Sequence, residues 1–125
     1  MSTNTVTALE VKSFDSPDEK RRPMKSVIDV VKVGDNTLGR FTFDPGWTWS
    51  ECIKPIVKTE FCEINHLGFC LSGSLNVRTP DGITISISAG DAFAIPAGHE
   101  AWVTSDEHFV AVEVMSAASY ARPPK

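Results

Sequence analysis

Four side chains, Glu60, Cys62, His66 and His99, offer a carboxylate, a thiolate and two imidazoles, the donor types that hold divalent transition metals. On an extended strand, residues two apart face the same way. Glu60, Cys62, Ile64 and His66 then share one face, and Phe61, Glu63 and Asn65 share the other. Gly68 continues the first face without a side chain and leaves space beside His66. Cys70 has the same parity but reads as core, where a free cysteine behaves as a small hydrophobe. His99 and Ala101 also share parity, so His99 can reach the same centre if the chain stays extended after Gly98. One oxygen, one sulfur and two nitrogens make a tetrahedral environment that favours zinc; iron, nickel and copper are also compatible. The thiolate disfavours magnesium and calcium, which take oxygen ligands. If all four groups bind, no position stays open. If Glu60 stands back as a base, three ligands and a water form a catalytic arrangement. The competing reading is a metal-free pocket, with Cys62 in the core, the histidines satisfying each other or backbone carbonyls, and Glu60 at a solvated strand end.

Other residues widen the site. Trp47, Trp49 and Trp102 offer large rigid surfaces with one donor each, suited to a ligand pocket or to core packing. Glu51 joins Glu60 as a candidate proton carrier. Lys54 could anchor a polar ligand, or pair with Glu51 on the surface, a contact worth little. His108, beside Asp106 and Glu107, is expected to be exposed. No phosphate loop, serine elbow or paired-cysteine zinc knuckle occurs.

These groups need a β framework. Short β-branched or alternating runs at 26–33, 37–43, 61–70, 74–79, 83–88, 91–95, 101–104 and 109–115 read as strands. Gly34-Asp35-Asn36, Pro45-Gly46, Ser72-Gly73 and Pro80-Asp81-Gly82 supply turns. The runs at 61–70 and 74–79 read as a pair turning near Gly73. Residues 47–55 are the least regular part. Residues 1–22 carry few apolar side chains and read as an arm lying on the barrel or on a partner subunit. Residues 23–125 form one domain, and the tail from Ser116 has room for a short helix before Pro123 and Pro124. Many short strands without a helical period mean a sandwich or closed barrel.

The chain has 125 residues and a net charge of −4, which offers nothing to a phosphate backbone or an anionic membrane. Its 3 cysteines cannot all pair within one chain. With no apolar leader and no spanning-length apolar run, reduced thiols and a cytoplasmic location are expected.

Two glycine-punctuated segments carry a family resemblance: Glu60 to Gly73, and Gly90 to Trp102. Together they resemble the paired motifs of the cupin superfamily, which implies an all-β jelly-roll barrel (a double-stranded β-helix) that commonly holds one metal. The first cupin motif places two histidines and a glutamate at the positions of Glu60, Cys62 and His66, so each residue type has changed. The second fits at Gly90, Pro96 and Gly98, but Ala101 stands at the usual histidine position and His99 lies two residues earlier. A closer resemblance is to small bacterial cupins with a Pro-Gly-Trp-x-Trp-Ser-Glu segment, here Pro45 to Glu51 followed by Lys54-Pro55, and a Pro-x-Gly-His-x-Ala-Trp segment, here Pro96 to Trp102. That group has no single activity. The resemblance implies a homodimer and a small organic ligand or substrate. It leaves open an enzyme and a non-catalytic binding or sensory protein in which any metal is structural.

Overall fold

The computed structural model describes residues 6–123. The outer ends of the expected arm and tail, residues 1–5 and 124–125, lie outside the described residues. The chain runs through β1 (Glu19–Arg21), β2 (Ser26–Val33), β3 (Asn36–Phe43), α1 (Trp49–Cys52), α2 (Lys54–Val57), β4 (His66–Ser72), β5 (Ser74–Arg78), β6 (Thr84–Ser88), β7 (Ala92–Ile95), β8 (Glu100–Val103) and β9 (Phe109–Val114). A 3₁₀ turn at Ser116–Ala118 follows. A six-stranded sheet has the order β1-β2-β3-β9-β4-β7, and a three-stranded sheet has the order β6-β5-β8. All pairings are antiparallel.

The core lies between the sheets and follows the period of two. Phe41 and Phe43 on β3, Phe109 and Ala111 on β9, Leu75 and Val77 on β5, and Phe93 and Ile95 on β7 are all buried. Trp47 stacks on Phe43 with ring centroids 3.9 Å apart, covering apolar surface at the barrel's end.

The expected pairing of 61–70 with 74–79 does not form, because β4 and β5 belong to different sheets. The chain crosses between the sheets at Gly73, whose φ is +72°. A Cβ there would lie 2.4 Å from the His108 carbonyl oxygen, so glycine alone fits the crossing. Residues 47–55 are more regular than their composition implies. Thr48 caps α1 by accepting from the Glu51 N–H at 3.2 Å, and Pro55 sits in the first turn of α2.

The arm is tied to the barrel. Its residues 19–21 form the edge strand β1, the Asp18 N–H donates to the Val30 carbonyl at 2.8 Å, and the Lys32 N–H donates to Asp18 at 2.7 Å. Arg40 reaches both Asp15, at 3.1 Å, and buried Asp29, at 3.0 Å. The guanidinium of Arg21 donates to the carbonyls of Ala117 and Tyr120. Arg122 pairs with Glu19 at 2.9 Å. Arm and tail are thus joined beside Tyr120, which is buried. Among the described residues, no helix is long and apolar enough to cross a membrane.

Candidate metal centre

Cys62 and His99 stand on segments whose backbones are bound to each other. The Cys62 N–H donates to the His99 carbonyl at 2.8 Å, and the Gly98 N–H donates to the Cys62 carbonyl at 2.6 Å. His66 opens β4, opposite Ile95 of β7. One ligand atom from each of Cys62, His66 and His99 can be chosen so that all lie within 4.8 Å of one another, and all three residues are buried.

The outer nitrogens of both rings are engaged. His66 Nδ1 lies 2.5 Å from Glu113 Oε1 and donates to it, which turns Nε2 toward Cys62 Sγ at 3.6 Å. His99 Nδ1 lies 2.6 Å from the Pro96 carbonyl oxygen, which has no proton to give, so Nδ1 carries the hydrogen. In the neutral form of either imidazole, the lone pair is then on Nε2. A nitrogen fixed by a carboxylate or carbonyl on its far side is how proteins orient a metal-binding histidine.

Glu113 reaches His66 because Gly68 lies opposite it in the β4–β9 register. A Cβ on Gly68 would lie 2.2 Å from the Val112 carbonyl oxygen and 2.8 Å from Glu113 Cγ. The space foreseen beside His66 is therefore filled by the stem of Glu113. Ser116 Oγ donates to the same carboxylate oxygen at 2.5 Å. The buried charge is thus hydrogen-bonded twice, as a carboxylate out of water must be.

Burial pushes the Cys62 thiol up, but hydrogen bonds from His66 and His99, and their charge, outweigh it and bring it down to about 6. Burial pushes His66 down, but its hydrogen bonds to Cys62 and Glu113, and their charge, outweigh it and lift it to about 9. Without an ion the pair is thiolate and imidazolium, with a proton on Nε2. That proton occupies the place an ion would take. A thiolate and two imidazoles would suit a transition metal, and three protein ligands would leave it able to take a water or a small ligand. Oxygen-seeking ions do not suit this donor set.

Phe41, Phe43, Trp47, Trp49, Phe93 and Tyr120 wall the cavity around the cluster, whose free space is about 30 Å³, room for a water or two.

Other predicted site residues lie elsewhere. Glu60 is exposed and is not part of the cluster. Lys58 takes a left-handed conformation (φ 61°) after α2, and the strand begins only at His66, so the assumed alternation through Glu60 does not hold. Glu51 and Lys54 are exposed on the short helices and line no part of the cavity. Trp102 has the outward parity of β8, where Ala101 and Val103 are buried, and the Arg78 guanidinium sits 5.2 Å from its ring centroid. Trp47 and Trp49 do wall the cavity. Glu113 and Tyr120 were missed. A readable signal existed for Glu113, which shares parity with Phe109 and Ala111 and so places a charge at an inward position.

No family model and no curated protein matches this sequence. Solved structures do. A protein of unknown function from Rhizobium leguminosarum bv. viciae 3841 is 21% identical with a TM-score of 0.61, over 94% of this chain and 100% of that one. A deletion mutant of Bacillus subtilis oxalate decarboxylase is 14% identical with a TM-score of 0.60, over 95% of this chain but only 33% of that longer one. A putative ethanolamine utilization protein Q from Salmonella typhimurium LT2 is 18% identical with a TM-score of 0.51, over 75% of this chain and 71% of that one. At such identities these likenesses bear on fold and not on chemistry, and with the two-sheet topology they show a cupin-type fold, an all-β jelly-roll barrel.

Proposed function

We propose that Cys62, His66 and His99 hold one divalent transition metal, zinc before iron or nickel, and that a small organic molecule binds beside it. The observation that carries this reading is the orientation of the two imidazoles. Each has its Nδ1 hydrogen committed, to Glu113 and to the Pro96 carbonyl, which leaves both Nε2 atoms for an ion beside the Cys62 sulfur. When bound, such an ion supplies a Lewis acid to an oxygen in the fourth position. The chain's own residues orient the ligands, hold the Glu113 charge and exclude water. Because Glu60 and Glu51 lie outside the cavity and Glu113 is engaged twice, no side-chain carboxylate among the described residues is free to move protons there. This favours binding, or turnover driven by the ion alone, over two-residue acid–base catalysis.

Elemental analysis of native protein against the Cys62→Ala, His66→Ala double variant tests the reading. About one metal per chain in the native protein and near none in the variant supports it. Equal, near-zero content in both removes it. Turnover of small acids or carbonyl compounds, set beside thermal stabilisation without product, separates an enzyme from a non-catalytic binder.

We also propose a homodimer. Leu67, Phe69 and Leu71 form an exposed apolar row on the outer face of β4, and each is 47–59% exposed. Light scattering of Phe69→Lys should show a monomer where the native chain is a dimer. A native monomer at working concentrations contradicts it.

A further inference from the structure

Trp47 and Trp49 are 1% and 2% exposed, and the indole N–H of each is buried without a hydrogen-bond partner among the described residues. Both residues wall the cavity that contains the Cys62, His66 and His99 cluster. A buried donor left unpaired is costly, and a native fold seldom leaves two in one place without something to receive them. Indole nitrogen can only donate, so whatever completes it must bring an acceptor.

Charge and size narrow the ligand further. Among the described residues, neither lysine nor arginine lines the cavity, so none of them neutralises a polyanion there. Its one carboxylate, Glu113, is already bound to His66 and Ser116, and the Cys62 sulfur is committed to the metal, so nothing is left to receive an organic cation. Phe41, Phe43, Phe93 and Ile95 supply apolar walls, and the free space of about 30 Å³ admits only a few heavy atoms.

We infer that the cavity takes a small oxygen acceptor of no more than one negative charge, a one-carbon carboxylate or carbonyl compound, held by the indole N–H groups of Trp47 and Trp49 beside the metal. This rests on the metal-centre reading, because the ion offsets the charge of a carboxylate that no basic side chain meets. The indoles select for an acceptor, and the aromatic walls limit its length.

The test uses full-length protein loaded with zinc, with zinc per chain measured first. Formate is titrated while the indole N–H resonances of its three tryptophans are followed by nitrogen-15 NMR. Trp102, outside the cavity, is the internal reference. The expected result is movement of the Trp47 and Trp49 signals with saturation, a still Trp102 signal, and no response to methylammonium or benzoate. Trp47→Phe, which keeps an aromatic wall and removes the donor, should retain zinc and bind formate about tenfold more weakly. Stoichiometric zinc with unmoved Trp47 and Trp49 signals overturns the ligand assignment and leaves the metal centre standing. Failure to bind zinc overturns both, and the metal measurement identifies that outcome.

Discussion

Gly68→Ala is the most informative substitution, because one methyl group would reach the metal centre through the sheet. The new Cβ would lie 2.2 Å from the Val112 carbonyl oxygen, 2.8 Å from Glu113 Cγ and 3.0 Å from Glu113 Cα. The nearest obstacle is backbone, which cannot swing aside, so β9 must shift and carry Glu113 off His66. Overpacking of this kind costs about 1–3 kcal/mol. Losing the charge-assisted bond from His66 Nδ1 adds about 1.5–3 kcal/mol. At about 4 °C per kcal/mol for a domain of this size, Tm should fall on the order of 10–20 °C. Zinc affinity should fall roughly 10–100-fold, the usual cost of losing the group that orients a metal-binding histidine. Glu113→Gln separates the two effects: it keeps the shape, so Tm should move less while zinc affinity still falls. The assays are thermal melting and zinc competition with a chelator, both run at a temperature where each variant is folded. A folded Gly68→Ala protein that binds zinc as the native chain does would refute the reasoning, since Glu113 would then have no part in orienting His66.

Zinc affinity should rise with pH. Between about 6 and about 9 the Cys62–His66 pair retains one proton, held on His66, and an ion must displace it. Affinity should therefore climb about tenfold per pH unit across that window and level off above it; chelator competition at several pH values checks this, and a flat profile contradicts it. Arg21→Ala removes the donor to the Ala117 and Tyr120 carbonyls, so the tail that seals the cavity should loosen. With about 2–4 kcal/mol lost, Tm should drop on the order of 10 °C, and zinc should leave to excess chelator faster; an unchanged release rate would show that the tail does not guard the site.

The barrel was legible because its strands alternate cleanly. Phe41 and Phe43, Leu75 and Val77, and Phe109 and Ala111 all turn inward as a period of two requires. Cys62, His66 and His99 were legible as metal-binding residue types in the right region. The route to them was only half right. Cys62 is brought in by a single bridge to His99, outside the strand that begins at His66, so parity could not be counted back to Glu60. Glu113 stands 47 residues from His66, and its pairing with that histidine depends on the β4–β9 register, which local pattern does not give. Trp102 lies outside the cavity for a related reason. Its neighbours Ala101 and Val103 take the inward positions of β8, and the aromatic type alone says nothing about the face. The order of the sheets lay beyond local reading too, because the crossing at Gly73 has the same sequence signature as a hairpin turn.

X-ray absorption at the zinc edge of the loaded protein addresses the core of the account most directly. It should show one sulfur at about 2.3 Å and two imidazole nitrogens at about 2.0–2.1 Å, with a light atom completing four-fold coordination. A spectrum without sulfur, or one unchanged by Cys62→Ala, would contradict a centre built from Cys62, His66 and His99.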